Sequence, residues 1–393
     1  MSSKRILPII VFSQFCCTSL WFVGNGIMED LMSNFNLNTS ALGHLTSAVQ
    51  FGFILGTFLF ALFTITDRFS PSRVFFFSAI IAAVFNVMMV YGGHSIISLF
   101  VVRFLTGFFL AGIYPVGMKI ASDYYREGLG KSLGFLVGAL VLGTAFPHFL
   151  NGLETVLPWK LVVYITFGLA VLGGVLILVF IPNGPYRKLA SKLDFSVLYK
   201  VFKAPNFRGA AFGYFGHMWE LYTFWAFIPV LLAAYMKVHN TMSYSVSILS
   251  FIIIGVGAFA CVVSGYLSQI FGAKKIAFSA LALSCLCCLL SPFFFMINNE
   301  FLFIGFLVFW GMVVIADSPL FSSLVAQNTI SEYKGTALTI VNSIGFAITI
   351  VSIQVFNVLI NMVNVKYLFI ILAVGPFLGL IALYNKRKIK TIS

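Results

Sequence analysis

Arg103-Phe-Leu-Thr-Gly107-Phe-Phe-Leu-Ala-Gly-Ile-Tyr114-Pro115 has an echo further along the chain, Leu307-Val-Phe-Trp310-Gly311-Met-Val-Val-Ile-Ala-Asp317-Ser-Pro319. Each stretch is apolar, and each carries a glycine with a proline eight positions later. Apolar runs near 20 residues long cross the hydrocarbon layer of a bilayer as helices. A repeated run of this kind, with its helix-breaking proline in the same register, therefore points to a membrane protein built from two related halves.

Composition agrees. Of 393 residues 60% are hydrophobic and 9% charged, where a soluble domain carries about 25% charged residues. So few charges cannot cover a water-facing surface, and lipid has to serve as the solvent. Working outward from the two stretches gives twelve spans: 6–28, 41–63, 74–91, 96–120, 132–151 and 160–181, then 209–235, 244–267, 276–297, 301–326, 335–361 and 366–385. Residues 1–181 and 209–393 form six-span halves, joined by the polar stretch 182–208. The first span follows Lys4 and Arg5 but has no small-residue cleavage site, so it reads as retained.

The net charge of +13 is a topology signal and not a nucleic-acid footprint. With the N-terminus inside, only Lys160, Lys237 and Lys366 fall in outer loops, which instead carry Glu29, Asp30, Glu154 and Glu300. Positive residues stay on the cytoplasmic side, so both termini and the central loop are expected there, in a bacterial inner membrane. The tail Lys386-Arg387-Lys388 fits the anionic leaflet. Asn38-Thr39-Ser40 matches a glycosylation acceptor, a pattern short enough to arise by chance. All six cysteines lie in apolar segments, and Cys285, Cys287 and Cys288 have no nearby histidine, so neither a disulfide framework nor a metal is expected. No phosphate-binding loop or nucleophile elbow appears, which argues against an enzyme, a bound cofactor and an ATP-driven pump.

The halves echo each other at about 202–204 residues in their loops too. Asp67-Arg68-Phe-Ser-Pro-Ser-Arg73 follows span two, and Gly265-Tyr-Leu-Ser-Gln269-Ile-Phe-Gly272-Ala-Lys274-Lys275 follows span eight. On these motifs, and on Arg103-Phe-Leu-Thr-Gly107, the chain resembles the major facilitator superfamily over essentially its whole length. The family's loop motif reads roughly G-x-x-x-D-R-x-G-R-R; Phe63 and Ser70 stand at its glycines, and Gln269 at the second-half aspartate. The resemblance implies a twelve-helix, all-α transporter fold, a monomer, and a substrate site between the halves. It also implies a cytoplasmic gate at Asp67, Arg68, Arg73, Gly265 and Lys274, with a coupling or structural role for Arg103. Gly134, Gly138 and Gly143 lack the Gly-Pro pair of the antiporter motif. Ser19-Leu-Trp21-Phe-Val-Gly24-Asn25 and Ala111-Gly112-Ile-Tyr114-Pro115 are similar to a bacterial branch that includes cyanate- and nitrate-type permeases. Those nitrate permeases use an arginine in each of spans two and eight, and neither span has one here.

Charged groups inside spans are costly and persist where they meet a partner or a cavity. Glu220 lies in span seven with His217 and Phe224 at helical spacings of three and four. It can carry a coupling proton, or it can make a structural hydrogen bond to a neighbouring helix. Asp317, just before Ser318-Pro319, can bind a proton or cation, pair with Lys119, or cap the broken helix. Gln14, Thr18, Trp21 and Asn25 form a stripe on span one; Gln50, Tyr114, Phe224, Trp225 and Asn342 extend it to other spans. They can line a cavity for a small polar or anionic solute, or they can tie helices together. The expected partners are that solute, a coupling proton and lipid. An exporter and a non-transporting sensor are the competing functions.

Overall fold

The computed structural model describes residues 5–125, 129–153, 157–187, 201–241, 244–329 and 334–384, without the side chains of 67, 129–131 and 334. The described residues contain helices and no strand. Eleven helices are long and apolar enough to cross a membrane: α2 Ala41–Leu62, α3 Pro71–Val90, α4 Ile96–Tyr124, α5 Ser132–Asn151, α6 Trp159–Phe180, α7 Pro205–His239, α8 Val246–Phe271, α9 Ala273–Met296, α10 Glu300–Gln327, α11 Gly335–Leu359 and α12 Val365–Tyr384. A shorter apolar helix, α1 Ile6–Thr18, precedes them.

Span one is broken, a departure from the uninterrupted run expected. Helix α1 ends at Thr18, the chain turns through 19–22, and helix resumes at Val23–Gly26 and Met28–Phe35. Local chemistry accounts for the stop. The Thr18 and Ser19 hydroxyls bond back to the carbonyls of Gln14 and Cys16, at 2.8 and 2.7 Å, competing with the helical ladder. Gly24 and Gly26 then weaken the restart. Helices α4 and α10 are also interrupted, at 111–113 and at Asp317, because Pro115 and Pro319 lack the N–H that would continue the ladder.

The repeat extends to backbone geometry. Gly107 on α4 packs so tightly on the Val49 carbonyl of α2 that a Cβ there would collide with it. Gly311 on α10 meets the Ile253 carbonyl of α8 in the same way. Both partners lie 204 residues on. Asn36 and Asn240, also 204 apart, are left-handed residues with φ of 51° and 53° that close their helices on the Met32 and Met236 carbonyls. Asparagine tolerates this conformation better than most residues. Each half therefore uses small residues to bring backbones together, the usual device where lipid supplies no hydrophobic drive between helices.

At the end of the bundle away from the termini, neutral side chains join the halves. Gln354 Nε2 of α11 donates to the Gly43 carbonyl and to Ser47 Oγ of α2, at 3.1 and 2.7 Å. Asn357 Nδ2 donates to the Ser40 carbonyl at 3.2 Å. Asn151 Nδ2 of α5 donates to Ser247 Oγ of α8 at 3.2 Å, beside the Phe149–Phe251 ring contact. Large apolar side chains such as Phe77, Phe259, Phe293 and Phe377 lie on the outside of the bundle, suited to lipid. Residues 188–200 of the joining stretch, and the basic tail, lie outside the described residues.

Candidate functional site

Three places hold the buried polar groups that bear on function. The first is the break in span one. Arg103, 1% exposed, reaches across from α4. Its Nη1 donates to the Leu20 carbonyl at 3.1 Å and to Asn86 Oδ1 of α3 at 2.8 Å, and its Nη2 donates to the Trp21 carbonyl. Gly24 leaves room above the guanidinium, since a Cβ there would come to 3.3 Å from Nε. A broken helix exposes carbonyls that need donors, and arginine supplies several in a rigid fork. Among the described residues no carboxylate pairs with Arg103.

The second place is the seam between the halves, which is aromatic. Trp21 lies nearly parallel to Tyr222 of α7 and to Phe346 of α11, with centroids 6.0 and 5.9 Å away and interplanar angles of 25° and 28°. Phe53 of α2 is 4.7 Å from Trp21 and 4.6 Å from Phe346. Trp225 joins through Tyr222 and Phe22, at 5.4 and 6.3 Å. These spacings are those of favourable ring pairs. Trp21 Nε1, Trp225 Nε1 and both amide atoms of Gln50 are buried without a hydrogen-bond partner. Tyr114 is half-buried and within electrostatic range of Tyr214 in the other half.

The third place is the interior of the C-terminal half. Glu220 Oε1 accepts from Trp310 Nε1 of α10 at 2.7 Å, from Ser284 Oγ of α9 at 2.5 Å and from Cys288 Sγ of α9 at 3.2 Å. His217 Nδ1 lies 2.8 Å from Asp317 Oδ1, both side chains 1% exposed. Asp317 sits at the interruption of α10, where its carbonyl accepts from the Leu320 and Phe321 amides. His217 Nε2 is buried without a partner.

Several expected groupings are rearranged. His217 faces Asp317 and not Glu220. Lys119 lies 3.9 Å from Asp123 one turn along its own helix, so the Asp317–Lys119 pair does not form. The span-one stripe divides. Gln14 abuts Gly117 and Phe75 inside the N-terminal half, Asn25 Nδ2 donates to Thr46 Oγ1 at 2.8 Å, and Thr18 bonds back to its own helix. Only Trp21 reaches the seam. Phe224 packs against Trp310 within the C-terminal half, with centroids 4.5 Å apart and the rings tilted by 34°, away from the seam. Asn342 is half-buried. Arg68, Arg73 and Lys274 are exposed, and Gly265 has open space where a Cβ would point. The Asp67 side chain is outside the described residues, although its backbone belongs to a short helix, Ile65–Arg68.

Sequence reasoning passed over Asn86, Ser284, Cys288 and Trp310, the partners of the buried charges. Asn86 was detectable as an amide inside an apolar run, and Trp310 as the neighbour of the repeat glycine Gly311. The cysteine cluster finds its use in the Cys288 contact to Glu220, and no metal-holding group of side chains occurs among the described residues.

No curated protein sequence matches the chain. Two solved structures share its fold over 98% of this chain and 100% of their own. One is the nucleoside transporter NupG, with a TM-score of 0.73 and 15% identity. The other is the human organic anion transporter MFSD10 (TETRAN), at 0.76 and 14%. Identities this low speak for fold alone. The family model described as Major Facilitator Superfamily matches residues 10–353. On that match, and on a helical bundle whose halves repeat at 204 residues, the chain belongs to the major facilitator superfamily.

Proposed function

We propose that this chain is a secondary active transporter, moving a small polar organic solute by alternating access with a proton as the coupling ion. The observation that carries the reading is the close approach of His217 and Asp317 at the interruption of α10, with Glu220 one turn along α7. Intramembrane ionisable residues of this kind mark ion pathways and proton relays. The pair bridges two helices, and a proton added to either side chain changes what holds α7 to α10. The solute binds at the aromatic seam, near the middle of the chain's crossing segments, where carriers of repeated halves place it. The distribution of lysine and arginine supports cytoplasmic termini in a bacterial inner membrane. The solved neighbours transport a nucleoside and an organic anion, so the fold leaves the cargo to the side chains.

Pulsed electron spin resonance tests the coupling without knowledge of the solute. Labels at Asn38→Cys and Met362→Cys, both exposed, report separation of the halves at the end away from the termini. The expected result is a distance distribution that changes between pH 8 and pH 5.5. Glu220→Gln and Asp317→Asn each reduce or abolish the change. Distances that ignore pH in the unsubstituted protein sink the proton-coupled reading.

A further inference from the structure

We infer that the solute is an uncharged, flat heteroaromatic molecule carrying both hydrogen-bond donors and acceptors on its ring, of the nucleobase type. This rests on the transporter reading and narrows it to a class. Four observations lead there.

First, the two near-parallel ring pairs of the seam both cross between the halves: Trp21 belongs to one half, Tyr222 and Phe346 to the other. When the halves part, Trp21 loses its stacking partners on that side. A flat aromatic ring restores them at the same spacing, which a sugar or an aliphatic chain cannot do. Second, buried polar atoms are nearly always hydrogen-bonded, and exceptions ask for an explanation. Among the exceptions are the two seam indoles and the Gln50 amide. The indole N–H groups of Trp21 and Trp225 can only donate, and the Gln50 amide can both donate and accept. Gln50 is buried on α2 within one turn of Phe53, which packs on Trp21. A ring with carbonyl or imine acceptors and an N–H donor along its edge satisfies all three residues.

Third, among the described residues the cation nearest the seam is already engaged. The Arg103 Nη1 and Nη2 atoms donate to the Leu20 and Trp21 carbonyls and to Asn86, and its remaining Nε is buried beside Gly24. Lys119 lies against Asp123. An anion placed between the halves would be desolvated without a partner. Fourth, the acids are turned away. His217, Glu220 and Phe224 occupy the face of α7 toward α9 and α10, whereas Tyr222 and Trp225 occupy the seam face. A cationic solute at the seam therefore finds ring faces but no carboxylate to pair with, whereas an uncharged one leaves no charge unpaired.

The test is equilibrium binding of four probes to the purified full-length protein, followed by isothermal titration: hypoxanthine, uracil, benzoate and glucose. Hypoxanthine and uracil are expected to bind. Benzoate, flat but anionic and without ring heteroatoms, and glucose, polar but not flat, are expected to bind at least about 10-fold more weakly, the cost of a missing hydrogen bond or more. Trp21→Phe keeps the ring and removes the N–H. It is expected to weaken hypoxanthine binding about 10-fold, and Gln50→Leu to do the same. Lys237→Gln, at an exposed position near the end of α7, is expected to leave binding unchanged. The class is overturned if benzoate or glucose binds as tightly as the two bases, if none of the four binds, or if Trp21→Phe and Gln50→Leu both bind hypoxanthine like the parent. The comparison of probes on the parent protein needs no variant to fold. Because the spin-label response to pH uses no solute, a failure here leaves that result standing, and the two readings fail separately.

Discussion

The two halves share a backbone frame and differ in what they bury. Glycine seats a helix on a carbonyl at Gly107 and again at Gly311, and asparagine ends a helix at Asn36 and again at Asn240. Inside that frame the N-terminal half holds a fixed cation, Arg103, spent on the carbonyls of a broken helix. Leu307 stands at its repeat position. The C-terminal half holds acids. Glu220 and Asp317 correspond to Cys16 and Ile113 in the first half, and the helix carrying Glu220 is continuous for 35 residues. Duplicated scaffolding thus carries a buried guanidinium in one half and the Glu220 and Asp317 carboxylates in the other, although Asp123 and His148 are also buried in the first half. Arginine stays protonated at any physiological pH, whereas carboxylates and imidazole exchange protons.

The comparison can be broken at its frame first. Gly107→Val and Gly311→Val each drive a side chain into a backbone carbonyl. Both are expected to remove about 3 kcal/mol or more of stability, enough to abolish folded protein in fluorescence-detected size-exclusion chromatography. If one is tolerated and the other is not, the halves do not share the frame. Arg103→Leu comes next. It orphans two carbonyls and an amide, with an expected loss of about 3 kcal/mol at every pH, read as a lower thermal midpoint at both pH 5.5 and pH 8. A loss confined to one pH would move Arg103 into the titrating class. Trp310→Phe is smaller. The ring contact with Phe224 remains and one donor to Glu220 is lost, for about 2 kcal/mol, and on the proton-coupled reading this effect should depend on pH. Gln354→Ala is the smallest, about 1 kcal/mol. Its main expected result is a longer Asn38–Met362 label distance, since the contact joins the halves and lies inside neither.

What the sequence disclosed follows from what is local. Hydropathy runs located the spans to within a few residues, because a lipid-facing helix must be apolar along its whole length. The glycine and proline repeat exposed the pseudo-symmetry, because close backbone approach and helix breaks demand particular residue types. The pairing of the charges was not legible. Residues three apart on a helix diverge by about 60° around its axis, and that angle sends His217 to Asp317 and Glu220 to Trp310. Which neighbours receive them depends on how α9 and α10 are rotated, and no periodicity within α7 encodes that. The break at 19–22 was hidden for a similar reason. Its residues are apolar enough to pass for helix, and its stabiliser, Arg103, lies more than eighty residues away.

The contacts that close the bundle away from the termini are made by amides and hydroxyls, with Gln354, Asn357 and Asn151 donating to uncharged acceptors. Hydrogen bonds between neutral groups are not screened by salt, as ion pairs are. Opening at that face should therefore proceed alike in dilute and in saline surroundings.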